Sequence, residues 1–147
     1  MTFSKSISVR GLPLTPPILL APMSGVTDMP FRSLVKRFGA GLVVSEMIAS
    51  REVIKNKSKT TKKTVFDRDI EKPIAVQLAG ADPDLMAWAA KINEDHGADM
   101  IDINMGCPAK FVINKQSGAA LMRDEILAKK ILMEPDSWRL SISEEIE

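Results

Sequence analysis

The chain has 147 residues, 45% of them hydrophobic and 27% charged, with a formal net charge of +1 at pH 7. Those shares exclude a disordered, collagen-like or strongly nucleic-acid-coating polypeptide on composition alone. No apolar run approaches the roughly 20 residues of a membrane-spanning helix, and the first ten residues lack the basic-then-apolar order of a secretory signal. The sequence predicts a soluble, cytoplasmic protein with no membrane partner.

In chain order, residues 7–14 (ISVRGLPL) carry a glycine and a proline at their centre and predict a small hairpin. The first buried strand follows at 17–23 (PILLAPM). Residues 29–38 then place Phe31, Leu34, Val35 and Phe38 at the spacing of one helical face, with Gly39 to end the helix. A second apolar run covers 41–47 (GLVVSEM). Residues 51–63 hold six basic side chains against one acidic one, Glu52, which is either a solvated helix face or a phosphate contact. The third run is 73–79 (PIAVQLA). The helix predicted over 82–96 has Asp82 as N-cap, Pro83 at its first position, Leu85, Trp88, Ala89 and Ile92 as its apolar stripe, and Gly97 as its stop. The fourth run is 99–105 (DMIDINM), and a fourth crossover helix is predicted over 118–132, with Leu121, Ile126, Leu127 and Ile131 inward. Residues 133–147 are acidic, contain a proline and hold no compact β-branched run, so they predict an irregular tail or a short helix from Ser141.

Short continuous apolar runs are what strands covered on both faces look like, and their alternation with helical periods predicts βαβ units around a parallel sheet. The alternation ends after about four units, so the organisation is one domain over 1–132 and a tail over 133–147. A shifted reading frame or an early stop would produce such an ending, and the downstream DNA tests that origin.

The polar residues within the runs fall in one place. Ser24, Glu46, Gln77, Asn104 and Cys107 sit at or just past the C-terminal ends of the predicted strands. That edge is where α/β folds bind ligands, because the strand-to-helix loops converge there. Any one of them alone is as well explained as a satisfied loop group. Cys107 is the chain's single cysteine, so it is either a small buried hydrophobe or a working thiol.

Four segments, 21–32 (APMSGVTDMPFR), 45–47 (SEM), 76–80 (VQLAG) and 102–122 (DINMGCPAKFVINKQSGAALM), resemble the signatures of the tRNA-dihydrouridine synthases. The likeness runs from about residue 11 to about residue 132 and is strongest to the bacterial B-type branch. It implies a (β/α)8 TIM-type barrel, here truncated to its N-terminal half behind the hairpin. It also implies bound FMN, NADPH as electron source, and reduction of uridine in tRNA. By their match to the family's motifs, Pro22, Met23, Ser24 and Gln77 would bind the flavin, Asn104 would meet flavin and substrate, and Cys107 would be the proton donor. A thiol is mostly protonated at neutral pH, which suits a general acid. Lys110 and Lys115, beside Cys107, are candidates for RNA contact, and Glu46 for fixing neighbouring loops. No metal is implied.

The family's fifth-strand lysine, a later histidine, the phosphate-gripping loops and a helical RNA-binding domain have no counterpart here. Two other readings stay open: a remnant or interaction fragment without flavin, and a flavin barrel reducing a small pyrimidine.

Overall fold

The computed structural model describes residues 6–9, 11–55 and 65–133. Strands β1 (Ile7–Val9) and β2 (Leu12–Leu14) pair antiparallel, which is the expected hairpin. Five strands form the main sheet: β3 (Leu19–Leu20), β4 (Leu42–Val44), β5 (Ile48–Ala49), β6 (Ile74–Ala79) and β7 (Met100–Ile103), every pairing parallel. Helix α1 (Met29–Arg37) crosses from β3 to β4, and α3 (Pro83–Asp95) from β6 to β7. A shorter helix, α2 (Ser50–Lys55), leaves β5.

The four anticipated strands are all present, shorter than drawn from sequence. The second, expected over 41–47, forms β4 only, and β5 follows just past its predicted end: Val44 pairs with Ala75 and Ile48 with Leu78, so the β4–β5 edge holds one residue more than β6 does. An extra residue of this kind bends a strand and re-aims its side chains. The sheet is open, with β3 and β7 at its two edges, so these strands form no closed barrel.

β6 is buried along its whole length, Gln77 included, as an apolar run with a single polar residue leads one to expect. Its side chains alternate between two layers. Val76 and Leu78 pack outward under α3, with Met86, Ala89 and Ala90. Ala75 faces inward with Leu14 of the hairpin, Leu42 and Val44. Leu14 therefore fills the lower part of the inner face, and the same period puts Gln77 on that face, nearer the C-terminal edge. Each fully buried leucine, valine or isoleucine stabilises the sheet by about 1.5–3 kcal/mol relative to exposure.

Helix starts follow the sequence closely. Asp28 and Asp82 accept the backbone N–H of Phe31 and Leu85, each with proline in the first turn. Gly39 and Gly97 both have φ of 95° just past the helix ends.

The apolar stripes fared less well. In α1, Leu34 and Phe38 are exposed, Phe38 at 84%, and the fully buried residue is Arg32. In α3 the sheet takes the small face of Met86, Ala87, Ala89 and Ala90, leaving Trp88 48% exposed. The predicted helix over 118–132 is in fact two pieces, a 3-10 segment (Gly118–Arg123) and α5 (Glu125–Met133). Asp124 splits them by accepting the N–H of Leu127, as an N-cap does. Leu121 and Ile131 are buried and Leu127 packs against the core, but Ile126 is 73% exposed. Met133 belongs to α5 rather than to the tail. The rest of the tail, including a helix from Ser141, lies outside the described residues, as do 56–63 of the basic run. No described helix is long and apolar enough to cross a membrane.

Candidate active site

Register on β6 and β7 sets the centre of the site. Gln77 stands directly opposite Asp102, on the same inner face, where cross-strand neighbours touch. Gln77 Nε2 donates to Asp102 Oδ2 at 2.5 Å. That leaves Gln77 Oε1 to accept from Asn104 Nδ2 at 2.9 Å. Asn104 Oδ1 in turn accepts the backbone N–H groups of Gly106, at 3.2 Å, and Cys107, at 2.9 Å. A single chain of hydrogen bonds thus runs from the Asp102 carboxylate to the backbone that carries the thiol. Both amide oxygens are committed within it, and each amide nitrogen has one further N–H.

The far side of the cysteine is held as firmly. Ala119 N donates to Cys107 O at 3.0 Å. Gly118, with φ of 62°, packs so close that a Cβ there would sit 2.6 Å from Cys107 O and 2.7 Å from Val112 Cγ1. Only glycine meets both demands. The short helix α4 (Lys110–Ile113), which the sequence did not foretell, lies between Cys107 and this turn.

These groups enclose a cavity of about 490 Å³ whose walls include Pro22, Ser24, Met47, Gln77, Asn104 and Cys107. Asp102 also contributes to its lining. The volume lies in the roughly 300–1,000 Å³ span of ligand pockets. Residues far apart in sequence, at the ends of β3, β6 and β7, have been brought to one opening.

Met23 is not on that wall. Its backbone N and O are taken by the Thr27 hydroxyl, at 3.0 and 3.1 Å, and its side chain is exposed. Lys110 is also off the wall, exposed at the start of α4. Glu46 lies in the bent segment between β4 and β5, where its carbonyl accepts from Ser45 Oγ. Ser45 Oγ in turn accepts the N–H of Gln77 at 3.1 Å, so the hydroxyl ties this bend to β6.

A second cavity of about 690 Å³ adjoins the first through Met47. Arg51, Lys55, Lys115 and Phe111 line it, together with the acidic Glu52 and Asp82. The described end of the basic run and Lys115 therefore meet there, while Phe111 is exposed beside them.

Arg32 went unassigned in the sequence beyond its place in a motif. It is fully buried and bonded three ways: Nε to Glu71 Oε2 at 2.5 Å, Nη1 to Thr27 O at 2.8 Å and Nη2 to Val65 O at 2.8 Å. It pins the β3–α1 loop, and with it Pro22 and Ser24, to the segment ahead of β6. Helical periodicity gave no signal for this role, because Arg32 lies off the apolar stripe and shares its side of α1 with Lys36. For Asp102 the signal was a carboxylate inside an apolar strand. Among the described residues no group of three or more His, Cys, Asp or Glu side chains is placed to hold a metal ion.

Comparison with known proteins agrees with the motifs. The family model described as dihydrouridine synthase matches residues 19–136. The chain belongs to the dihydrouridine synthase family. It is 58% identical over 125 residues to a probable tRNA-dihydrouridine synthase of Rickettsia bellii, covering 85% of this chain and 38% of that protein. Against the protein of that name in Rhizobium leguminosarum bv. phaseoli, identity is 60% over 110 residues, 73% of this chain and 33% of the relative. The tRNA-dihydrouridine synthase B of Pseudomonas putida is 54% identical over 115 residues, 78% of this chain and 34% of its own. The chain thus spans about a third of the length of these relatives, and the family match over 19–136 contains every site residue described above.

Proposed function

We propose that this chain carries the flavin-facing half of an enzyme that reduces uridine to 5,6-dihydrouridine in tRNA, with FMN as bound cofactor and NADPH as electron source. The observation that carries the reading is the meeting of Pro22, Ser24, Gln77, Asn104 and Cys107 around one cavity. As the N-terminal half of a (β/α)8 barrel, the chain would present this cavity at the C-terminal face, where such barrels work.

The donor set fits a flavin and a pyrimidine. The spare N–H groups of Gln77 and Asn104 suit the carbonyl oxygens along either ring's polar edge. Pro22 and Ser24 supply a wall from the first strand. When bound, reduced FMN supplies the hydride for C6 of the uracil, which no side chain can deliver. Cys107 then holds the proton that C5 requires, as a general acid on the opposite side of the base. Asn104 fixes the backbone of that cysteine and offers its remaining N–H to the base. Lys115, Arg51 and Lys55 in the neighbouring cavity would neutralise phosphates of the RNA, and Phe111 offers a face on which a base could stack. A base within folded tRNA must leave its stack to reach such a site. The reading places the protein in the cytoplasm with its tRNA.

The test is the dihydrouridine content of tRNA from a strain with this gene deleted. Loss of dihydrouridine at one or more positions, restored by the gene and not by its Cys107→Ala form, is the expected result. Unchanged content in the deletion strain overturns the proposal.

A further inference from the structure

We infer that Asp102 is a positioning residue whose carboxylate sets the direction of the Gln77–Asn104 relay and thereby fixes the backbone that carries Cys107. The role of Cys107 as proton donor is taken from the proposed function, but the relay itself stands without it.

A carboxamide can sit either way round, with its oxygen and nitrogen exchanged, and its neighbours decide which way. An ionised carboxylate only accepts. Facing Asp102, the Gln77 side chain must turn its Nε2 toward Oδ2, and it does so at 2.5 Å. Oε1 is then the atom left for Asn104, which must answer with Nδ2. Asn104 Oδ1 is consequently the atom turned to the N–H groups of Gly106 and Cys107. Two amide orientations and one loop conformation are therefore held between one acceptor, the Asp102 carboxylate, and two backbone donors at the far end. The register supports this assignment, because Asp102 and Gln77 are directly paired across β6 and β7 rather than meeting by a long reach. Gln77 is 6% exposed, so its amide has few partners besides Asp102 and Asn104.

Without that acceptor the glutamine can reverse, which puts its nitrogen against Asn104 Nδ2. Asn104, held by two backbone donors at its Oδ1, then loses its partner at Nδ2 and is anchored less firmly. The Cys107 backbone is held less tightly in turn, and the thiol becomes freer and more accessible.

Cys107 is the only cysteine of the chain, so its alkylation by iodoacetamide can be followed without labelling and without flavin. Asp102→Ala is expected to raise the rate about three- to ten-fold, the loss expected for one side-chain hydrogen bond. Asp102→Asn, which still offers an oxygen to Gln77, should stay near the parent rate. Combining Asp102→Ala with Asn104→Ala should give no more than Asn104→Ala alone, because both break the same chain. Additive effects, or an Asp102→Ala rate equal to the parent, would overturn the inference.

A second pair of variants serves if Asp102→Ala does not fold. Gln77→Glu alone sets two carboxylates face to face and should raise the rate. Adding Asp102→Asn restores a donor opposite an acceptor, keeps an acceptor for Asn104, and should return the rate towards the parent. A double variant no better than Gln77→Glu alone would also overturn the inference. Flavin content of the parent chain reports separately on the proposed function, so a colourless protein leaves this test intact.

Discussion

Asn104 and Cys107 are joined through the backbone: the asparagine Oδ1 accepts the cysteine N–H at 2.9 Å. The residue proposed to read the base is thus also the one that holds the proposed proton donor in place. Substitution at Asn104 should disturb both binding and chemistry, whereas substitution at Cys107 should disturb chemistry alone.

Cys107→Ala is therefore expected to keep whatever flavin the parent holds and to lower dihydrouridine formation by about 10²–10⁴-fold, the usual contribution of a positioned general acid. Single-turnover oxidation of reduced flavin by tRNA measures it. A Cys107→Ala form as fast as the parent would remove the thiol from the mechanism.

Arg32 and Glu71 form a buried pair with side chains 1% and 0% exposed. Removing one partner leaves the other charge buried, with a cost of about 3–5 kcal/mol. Arg32→Ala and Glu71→Ala should each lower Tm sharply in thermal unfolding, and loosen the loop that carries Pro22 and Ser24. A change of less than about 1 kcal/mol, the size expected of an exposed pair, would contradict the assigned burial.

Gly118→Ala should destabilise by about 1–3 kcal/mol, since a non-glycine residue in the left-handed region costs that much before any clash. Its Cβ would also press on Cys107 O. The variant should therefore change Cys107 alkylation as well as Tm. An alanine with no effect on either would mean that the turn is laxer than its geometry implies.

The basic side chains in the mixed lining of the second cavity give a different signature. Arg51→Ala and Lys115→Ala should weaken tRNA binding across sequences. Each should also lower the slope of log K against log salt by about 1 for every phosphate its side chain neutralises. Filter binding at several salt concentrations reads both effects. An unchanged slope would assign these side chains to solvent.

How much of this was legible beforehand differs from element to element. β6 was plain because a strand covered on both faces has no polar interruption until its C-terminal end, and Gln77 was that interruption. The start of α3 was equally plain, since Asp82 and Pro83 are local signals, and Asp28 and Pro30 carry the same signal at α1, where it went unread. Faces were harder. Periodicity marks an apolar stripe, but the sheet selects the side that packs closest, and in α3 alanines and a methionine displaced Trp88. The break at Asp124 had a local signal, a capping residue inside an apolar pattern, which the long period of 118–132 concealed. In the site, the cysteine and both amides could be read from the motif. The links between them could not, because the Asp102–Gln77 pairing is a matter of register between two strands. The buried charge of Arg32 likewise depends on Glu71, 39 residues away in sequence.

Flavin content of the purified chain tests the central claim most directly. If the cavity holds FMN, the protein is yellow, releases FMN in stoichiometric amount on denaturation, and loses most of it when Gln77 becomes Ala. A colourless protein that takes up no added FMN would contradict it.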